Sequence, residues 1–285
     1  MQAAELVREG RLEEALKVLQ DGVRKDPANF KLRVFLFQLL CVLGDWERAL
    51  TQLNVASEMD ASSTLMVAMY RPALQCEALR AEIFAGRRSP VIFGQPEDWM
   101  GWAVQACQLE AGGGVEEALA LREKAFEAAP AVGGKVNGRD FEWIADADSR
   151  LGPMIEAIVN GALYWVPFCR IHSMQIEEPT DLRDAVWAPA RMVLTNGGEV
   201  FALVPVRYPG SERSGDGSIR LARKTEWVEA AGGVQHGLGQ RMLATDGEEI
   251  PLLEVRSIEL DNEMQPGAEG GGDAGPSVSL GLTGG

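Results

Sequence analysis

The residue types most able to do chemistry stand close together in the stretch FEWIADADSRLGP, residues 141–153. In an extended chain alternate side chains share a face, so Asp146 and Asp148 would form a pair of carboxylates. Glu142 lies just upstream, and Arg150 follows the pair. Two carboxylates can serve general acid–base chemistry, or hold a hard cation if further oxygen ligands are supplied. They can equally accept hydrogen bonds within a turn and pair with arginines.

Two histidines could complete a catalytic group. His172 lies in the strand-like run CRIHSMQ, and His236 lies in the glycine-rich stretch GGVQHGLGQR. A metal-dependent hydrolase using Asp146 and Asp148 with either histidine is therefore one hypothesis. Against it, no serine lies in a GxSxG turn, the glycines near His236 do not follow GxGxxG, and the four cysteines lack metal-ligand spacing. The sequence predicts no catalytic residue, no metal and no cofactor.

The alternative interpretation of the carboxylates is structural. A buried carboxylate is costly unless it is paired, and this part of the chain supplies many arginines. Substituting Asp146 or Asp148 with Asn is then expected to lower stability and to affect no turnover. We interpret four residues of the stretch as one structural motif: Trp143, Asp146, Asp148 and Arg150. The arginines considered as partners are Arg150, Arg183, Arg207 and Arg256.

The N-terminal part contains a repeat of 34 residues. GRLEEAL begins at Gly10, GDWERAL begins at Gly44, and a third copy, GVEEAL, begins at Gly114. This period, with an alanine five residues after each of the first two glycines and Pro27 closing the first unit, is typical of tetratricopeptide repeats. The glycines suit tight turns between helices, and the alanines suit close helix contacts. The sequence predicts a helical domain of about seven helices over residues 1–130.

The composition changes at residues 131–140, where AVGGKVNGRD interrupts the helical pattern. Short apolar or alternating runs follow, separated by turn signals such as Asn196-Gly197 and Asp246-Gly247. The predicted fold class is therefore α+β, with a small antiparallel β domain, barrel-like, over residues 131–260. The tryptophans of this part are assigned mainly to the core. They are Trp143, Trp165, Trp187 and Trp227.

Charge and tail composition exclude several classes of function. The net charge is −15, and no basic block exists that could neutralise phosphates, so we expect no nucleic-acid and no membrane partner. No run of about 18 apolar residues suggests a membrane span, and the N-terminus lacks a signal-peptide pattern, so the prediction is a cytoplasmic protein. Residues 261–285 contain eight glycines and are predicted to be a disordered tail.

Several long motifs, in order, resemble those of one family. They are FEWIADADSRLGP, YWVPF (164–168), RDAVWAP (183–189), VRYPGSE (206–212), LARKTEW (221–227), GLGQR (237–241) and PLLEVR (251–256). Together they resemble the ImpE/TagJ family, also called SciE type, over roughly residues 1–260. The resemblance implies a virulence-associated accessory protein of bacterial type VI secretion without known catalysis. It also implies two protein partners, the small subunit of the contractile sheath and the AAA+ unfoldase that dismantles contracted sheaths.

The leading hypothesis is therefore an adaptor that binds a helical segment in a groove of the repeat domain. Stacked repeats form concave surfaces, and the repeat register predicts which residues line the groove. These residues are Lys31, Val34, Gln38 and Cys41 on one helix, and Leu65 and Ala68 on the next. A tetratricopeptide scaffold that works outside secretion is a further alternative.

The predicted tail leads to a stability test. Removal of residues 261–285 should leave the melting temperature within about a degree or two, because no packed contact is lost. The measurement is thermal unfolding of the full and truncated chains, and a fall of about 10 °C would contradict the prediction.

Overall fold

Seven α-helices form the first part of the chain in the computed structural model, which describes residues 2–264 apart from the side chain of Ser62. The helices pack mainly against their sequence neighbours, as expected of a repeat array. They are α1 (Gln2–Arg8), α2 (Leu12–Lys25), α3 (Phe30–Leu43), α4 (Trp46–Met59), α5 (Thr64–Phe84), α6 (Asp98–Ala111) and α7 (Val115–Ala128).

The repeat signals work as their chemistry predicts. Gly10 and Gly44 follow the ends of α1 and α3 with φ of 76° and 73°, a left-handed conformation that glycine adopts without a steric penalty. The repeat alanines Ala15, Ala49 and Ala118 are all fully buried, because each lies where a larger side chain would not fit between helices. The tetratricopeptide-like helical fold is thereby confirmed.

Two arginines from the second part of the chain cap helices of the first. Arg207 donates to the carbonyl oxygens of Cys41 (3.2 Å) and Val42 (2.7 Å) in the last turn of α3. Arg223 donates to the carbonyl oxygens of Val7 (3.2 Å) and Arg8 (2.6 Å) at the end of α1. Helix C-termini leave carbonyl groups without partners and favour a positive charge, so both arginines stabilise the helix array from outside it.

Strands make up most of the second part. Asn196-Gly197 forms the predicted hairpin turn between two of them, with Gly197 at φ 82°. A short helix, α8 (Gly217–Arg220), interrupts the strands, and β1 lies in the helical part. The strands are β1 (Val91–Ile92), β2 (Gly134–Val136), β3 (Arg139–Phe141), β4 (Ile144–Asp146), β5 (Met154–Val159), β6 (Ala162–Pro167), β7 (Ile171–Ile176), β8 (Trp187–Leu194), β9 (Glu199–Pro205), β10 (Thr225–Glu229), β11 (Gln235–Gly239), β12 (Met242–Thr245), β13 (Glu249–Pro251) and β14 (Ser257–Leu260).

The strands form one large open sheet and two small ones. The nine-stranded sheet has the order β1-β6-β5-β9-β8-β7-β14-β2-β3, the three-stranded sheet β13-β12-β4, and the ribbon β10-β11. Within residues 2–264 no pairing joins the edge strands β1 and β3, so the predicted barrel is not confirmed. The segment between α5 and α6 contributes β1, which pairs parallel with β6 while Phe93 packs on Tyr164.

Two hydrophobic clusters lie on opposite faces of the large sheet. Along β5, Ile158 belongs to the cluster shared with the helices, and its neighbour Val159 belongs to the cluster shared with the three-stranded sheet. This alternation follows from the two-residue period of a strand. Trp165 and Trp187 are fully buried in the first cluster, so the sheet and the helical array share one core.

Contacts cross the predicted domain boundaries in two places. The strand β1 lies within residues 1–130, although it belongs to the large sheet. At the other end, the Asp261 N–H donates to the Gly133 carbonyl oxygen (2.9 Å), and the Asn262 side chain donates to the carbonyl oxygens of Phe168 (2.9 Å) and Ile171 (2.6 Å). The expectation that residues 261–285 make no packed contact is therefore wrong for residues 261 and 262. The rest of the predicted tail, from residue 265, lies outside the described residues. None of the helices between residues 2 and 264 combines the length and apolarity needed to cross a membrane.

Candidate functional site

The stretch 141–153 forms strand β4 and a tight turn. The Asp146 N–H donates to the Gly152 carbonyl oxygen at 2.7 Å, which closes the turn against the end of the strand. Gly152 has φ 54°, and a Cβ on it would lie 2.3 Å from the Phe126 ring of α7. Only glycine fits both the backbone conformation and the contact. The turn therefore sits where the helices meet the sheets.

Asp146 is paired with an arginine that the sequence did not single out. Its carboxylate accepts from the Arg241 guanidinium, from the Asp148 N–H at 2.9 Å and from the Tyr208 hydroxyl at 3.2 Å. Within the described residues none of the four arginines considered above bonds to it. Its side chain is fully buried, so solvent does not reach the carboxylate. Burial raises the pKa of Asp146 to about 6, since Arg241 offsets only part of the lost hydration and the Asp148 charge adds to it.

Asp148 accepts hydrogen bonds from the turn and from strand β11. It accepts two hydrogen bonds from the Arg150 guanidinium, one of them at 2.8 Å, and one from the Arg150 N–H at 3.0 Å. A fourth comes from the Gly237 N–H of β11 at 2.9 Å. Burial alone would raise the pKa of Asp148, but Arg150 and these amide donors outweigh it and lower the pKa below its ordinary range.

A chain of buried charges continues from Arg241 into the helical array. Arg241 also donates to Glu156 of β5 at 2.6 Å, and Glu156 accepts from Arg80 of α5 at 2.8 and 3.0 Å. Burial would raise the pKa of Glu156, but the two guanidiniums outweigh it and lower the pKa. Glu156 interrupts the apolar run MIEAIV, and a charge in a buried strand must be paired, so the sequence did carry a signal for this site.

The two histidines are not brought to the aspartates. His172 Nδ1 lies 3.2 Å from the Asn262 carbonyl oxygen, and His236 Nε2 contacts Glu110 of α6. Among residues 2–264 no group of three or more His, Cys, Asp or Glu side chains is arranged to hold a metal ion. The arrangement around Asp146 can position elements of the fold. Because its carboxylate is buried and already accepts three hydrogen bonds, it is not placed to reach a substrate.

The predicted groove residues divide into accessible and covered positions. Lys31, Leu65 and Ala68 are exposed, with Leu65 at 71%. Val34 and Gln38 are half-buried, and Cys41 is fully buried, so Cys41 cannot line a groove. Cys41 is buried because the sheet part covers this end of α3, where Arg207 donates to the Cys41 carbonyl oxygen. The remaining five residues stay predicted groove positions, and we name them the helical groove: Lys31, Val34, Gln38, Leu65 and Ala68.

The sheet part also packs against helices α4 and α5 of the repeat array. Trp187 of β8 packs between Trp46 and Tyr70, with ring centroids 6.0 and 5.8 Å apart, and donates to Glu77 at 2.8 Å. The Arg183 guanidinium lies over the Tyr70 ring at 4.6 Å. The surface that binds peptides in open repeat arrays is therefore partly occupied by the chain itself.

Trp143 lies on the surface, contrary to the expectation that it belongs to a structural core. It is 40% exposed and borders a cavity of about 400 Å³ between β4 and the end of α7. Trp165 and Trp187 are in the core as predicted, and Trp227 is half-buried against Tyr208. An exposed tryptophan beside an apolar cavity is typical of a docking surface.

Comparison with known proteins identifies the family. The family model described as ImpE protein matches residues 138–259, and a tetratricopeptide repeat model matches residues 6–70. The type VI secretion system accessory component TagJ of Pseudomonas aeruginosa is 51% identical over 261 residues, which cover 92% of each chain. This chain belongs to the ImpE/TagJ family.

The ImpE/TagJ fold is also seen in a solved structure. The crystal structure of a Vibrio parahaemolyticus protein superposes with a TM-score of 0.82 over 93% of this chain and 99% of that one, at 24% identity. The likeness supports the arrangement of helices and sheets described above. The ImpE model spans the motif of Asp146 and Asp148, and the repeat model spans the helical groove.

The two aspartates should differ in their importance for stability. Asp148→Asn should lower the free energy of unfolding by about 3–5 kcal/mol, because Arg150 loses its buried partner. Asp146→Asn should cost less, since Arg241 keeps Glu156 as a partner. Denaturant unfolding at neutral pH measures both losses. Asp181→Asn is the matched control, because Asp181 pairs with Arg183 in the same Asp-X-Arg spacing but is partly exposed; its cost should be at most about 2 kcal/mol. Equal losses of unfolding free energy for all three variants would contradict the different pairing roles assigned to Asp146 and Asp148.

A pH series isolates Asp146. Between about pH 4, the usual aspartate range, and pH 6, folded Asp146 holds a proton that the unfolded chain has released. Lowering the pH through this window therefore favours the folded state, and the Asn variant lacks the effect. The free energy of unfolding of the wild type relative to Asp146→Asn should rise by up to about 3 kcal/mol from pH 7 to pH 4. A difference that stays flat or falls would mean that Asp146 remains ionised there.

Proposed function

We propose that this chain is a non-enzymatic adaptor of a bacterial type VI secretion system that works in the cytoplasm. The observation that carries the proposal is the 51% identity, along 92% of both chains, to a relative named as an accessory component of that system. The pairing of the buried carboxylates supports the proposal that the protein is not an enzyme. Asp146, Asp148 and Glu156 are each held by guanidinium groups, and two of them also by amide donors, so the hydrolase alternative has no open carboxylate to work with.

The proposed partner segment is an amphipathic helix of the small contractile-sheath subunit, with the AAA+ unfoldase that recycles the sheath as a second partner. The proposed site is the helical groove. Leu65 follows Lys31 by 34 residues, and Ala68 follows Val34 by 34, so these residues occupy equivalent positions in consecutive repeats. Lys31 and Val34 lie in the first turns of α3, which begins at Phe30, and Leu65 and Ala68 lie in the first turns of α5, which begins at Thr64. Leu65 presents an exposed apolar side chain there.

The affinity expected of such a contact is moderate. A helix with apolar residues at i, i+3, i+4 and i+7 would bury a few Leu or Ile side chains, each contributing about 1.5–3 kcal/mol, less the cost of ordering the peptide. A dissociation constant in the micromolar range, about −8 kcal/mol, is consistent with that balance. The net charge of −15 favours a peptide with basic residues on its polar face, so salt should weaken binding mildly.

A scaffold outside secretion is the remaining alternative. It would use the same repeat surface, so no property of the groove separates the two functions. The neighbouring genes do separate them, since an adaptor of the secretion sheath is expected beside the genes for the sheath and the unfoldase. Capture of the sheath subunit from the native host would favour the secretion role.

Titration of labelled peptides from the small sheath subunit tests the proposed site. Leu65→Asp and Ala68→Asp should each weaken binding at least tenfold, or about 1.4 kcal/mol, because a charge replaces an apolar contact. Both positions are exposed, so the fold should stay intact. The measurement is fluorescence anisotropy at constant ionic strength.

The matched control is Val228→Asp, because Val228 is a 50% exposed apolar residue on β10 in the sheet part. This variant should bind as the wild type does. Undiminished binding by both groove variants would move the site away from the helical groove. If neither a sheath-subunit peptide nor an unfoldase domain binds the wild type, the adaptor proposal fails.

A further inference from the structure

A second surface, separate from the helical groove, runs along the exposed side of strand β4. The cavity there holds about 400 Å³ and is lined by four consecutive residues, Ile144 to Ala147, together with Trp143 and Phe126. Side chains alternate between the faces of a strand, so four residues in a row can line one cavity only when it follows the backbone edge. We name this cavity the edge cleft. Its opposite wall comes from the end of α7.

The register of β4 shows which backbone groups point into the edge cleft. Among the strands of residues 2–264, β4 pairs only with β12, and it is the last strand of its sheet. The Ala147 N–H donates to the Met242 carbonyl oxygen, so the alternate residues Ile144 and Asp146 direct their backbone groups away from β12. The Asp146 N–H is used by Gly152. Within residues 2–264 neither the Ile144 N–H nor its carbonyl oxygen has a hydrogen-bond partner, so this residue, although buried in the core, offers an unused backbone donor and acceptor on the cleft side.

The surroundings of the edge cleft are apolar inside and acidic outside. Phe126, Trp143, Ala145 and Pro153 supply most of the inner surface. Two exposed carboxylates stand next to lining residues: Glu127 beside Phe126, and Glu142 beside Trp143. Neither is in an ion pair among the residues that the structure describes. The cleft therefore combines an apolar floor and a partly unpaired strand edge with two exposed carboxylates on residues that adjoin its lining in sequence.

We propose that the edge cleft is a docking site for an extended apolar segment of a protein partner, flanked by basic residues, which adds to β4 as a further strand. An extended segment can use the Ile144 N–H and carbonyl oxygen, whereas a helix bonds its own backbone groups internally. Trp143 covers the apolar side chains of the segment, and Glu127 and Glu142 attract its basic ends.

This inference does not rest on the sheath-helix proposal. The edge cleft and the helical groove share no residue, and their proposed occupants have different backbone conformations. Loss of one activity in a variant can therefore occur without loss of the other. The two sites would allow one adaptor to hold two segments at once.

The test uses the full chain labelled with ¹⁵N and a blocked peptide, Lys-Val-Ile-Val-Ile-Lys, as the probe. Titration should shift the backbone amide of Ile144 and the indole N–H of Trp143, slow hydrogen exchange at Ile144, and give a dissociation constant below about 1 mM. A peptide with proline in place of the central Val or Ile should bind at least tenfold more weakly, because it cannot donate to the strand edge. The same peptide with Glu ends should also bind more weakly.

Two aromatic variants complete the test. Trp143→Ala should weaken binding at least tenfold, and Phe201→Ala should not, because Phe201 is a 48% exposed aromatic residue on β9, outside the cleft. The proposal is overturned if the probe does not bind at about 1 mM, if the proline peptide binds equally well, or if the shifts map to the helical groove. Bound peptide without slower exchange at Ile144 would also overturn it, since that result means a contact without strand addition.

Discussion

Buried guanidinium and carboxylate groups tie three layers of this protein together. Arg80 lies on helix α5, Glu156 on the large sheet and Asp146 on the small sheet, with Arg241 between the last two. Removing such groups from water costs several kcal/mol each, and the cost is recovered only when every partner is in place. A shift of α5 against the sheet would leave a buried charge unpaired. The charges therefore contribute more to the relative position of the layers than to net stability.

This constraint also holds residues of the sheet part against helices of the repeat array. The sheet part places Trp187 against Trp46 and Tyr70, and Arg207 and Arg223 cap two repeat helices. The residues proposed as the helical groove lie on α3 and near the beginning of α5. The edge cleft lies beside the turn after Asp148, which uses the Asp146 N–H and leaves the Ile144 backbone groups without partners. Both proposed docking surfaces thus depend on how helices and sheets are joined.

Much of the fold could be predicted from local patterns. The 34-residue period located the repeat helices, and Asn196-Gly197 located the β8–β9 hairpin, because both signals depend on residues close in sequence. The signal for strand β1 was too short to detect, since two residues carry no period. Sheet closure is set by distant pairings, so the barrel prediction had no local support.

The site was predicted less well, for a related reason. The sequence indicated that Asp146 and Asp148 need arginine partners, and Arg150 is the partner of Asp148. Arg241, the partner of Asp146, lies 95 residues away in the link between β11 and β12, and several arginines were equally eligible. Cys41 was assigned to a groove because repeat register describes an isolated array. The covering of that face by residues of the sheet part has no signature in the repeat itself.

We expect the helices and sheets to form one cooperative unit joined by the buried charges. Native-state hydrogen exchange at increasing denaturant tests this by comparing amides of α3 and α5 with those of β5 and β9. The slowest amides of both groups should exchange through the same global opening, and Glu156→Gln should lower the opening free energy of both by the same amount. Separate openings, with only the sheet affected by Glu156→Gln, would contradict it.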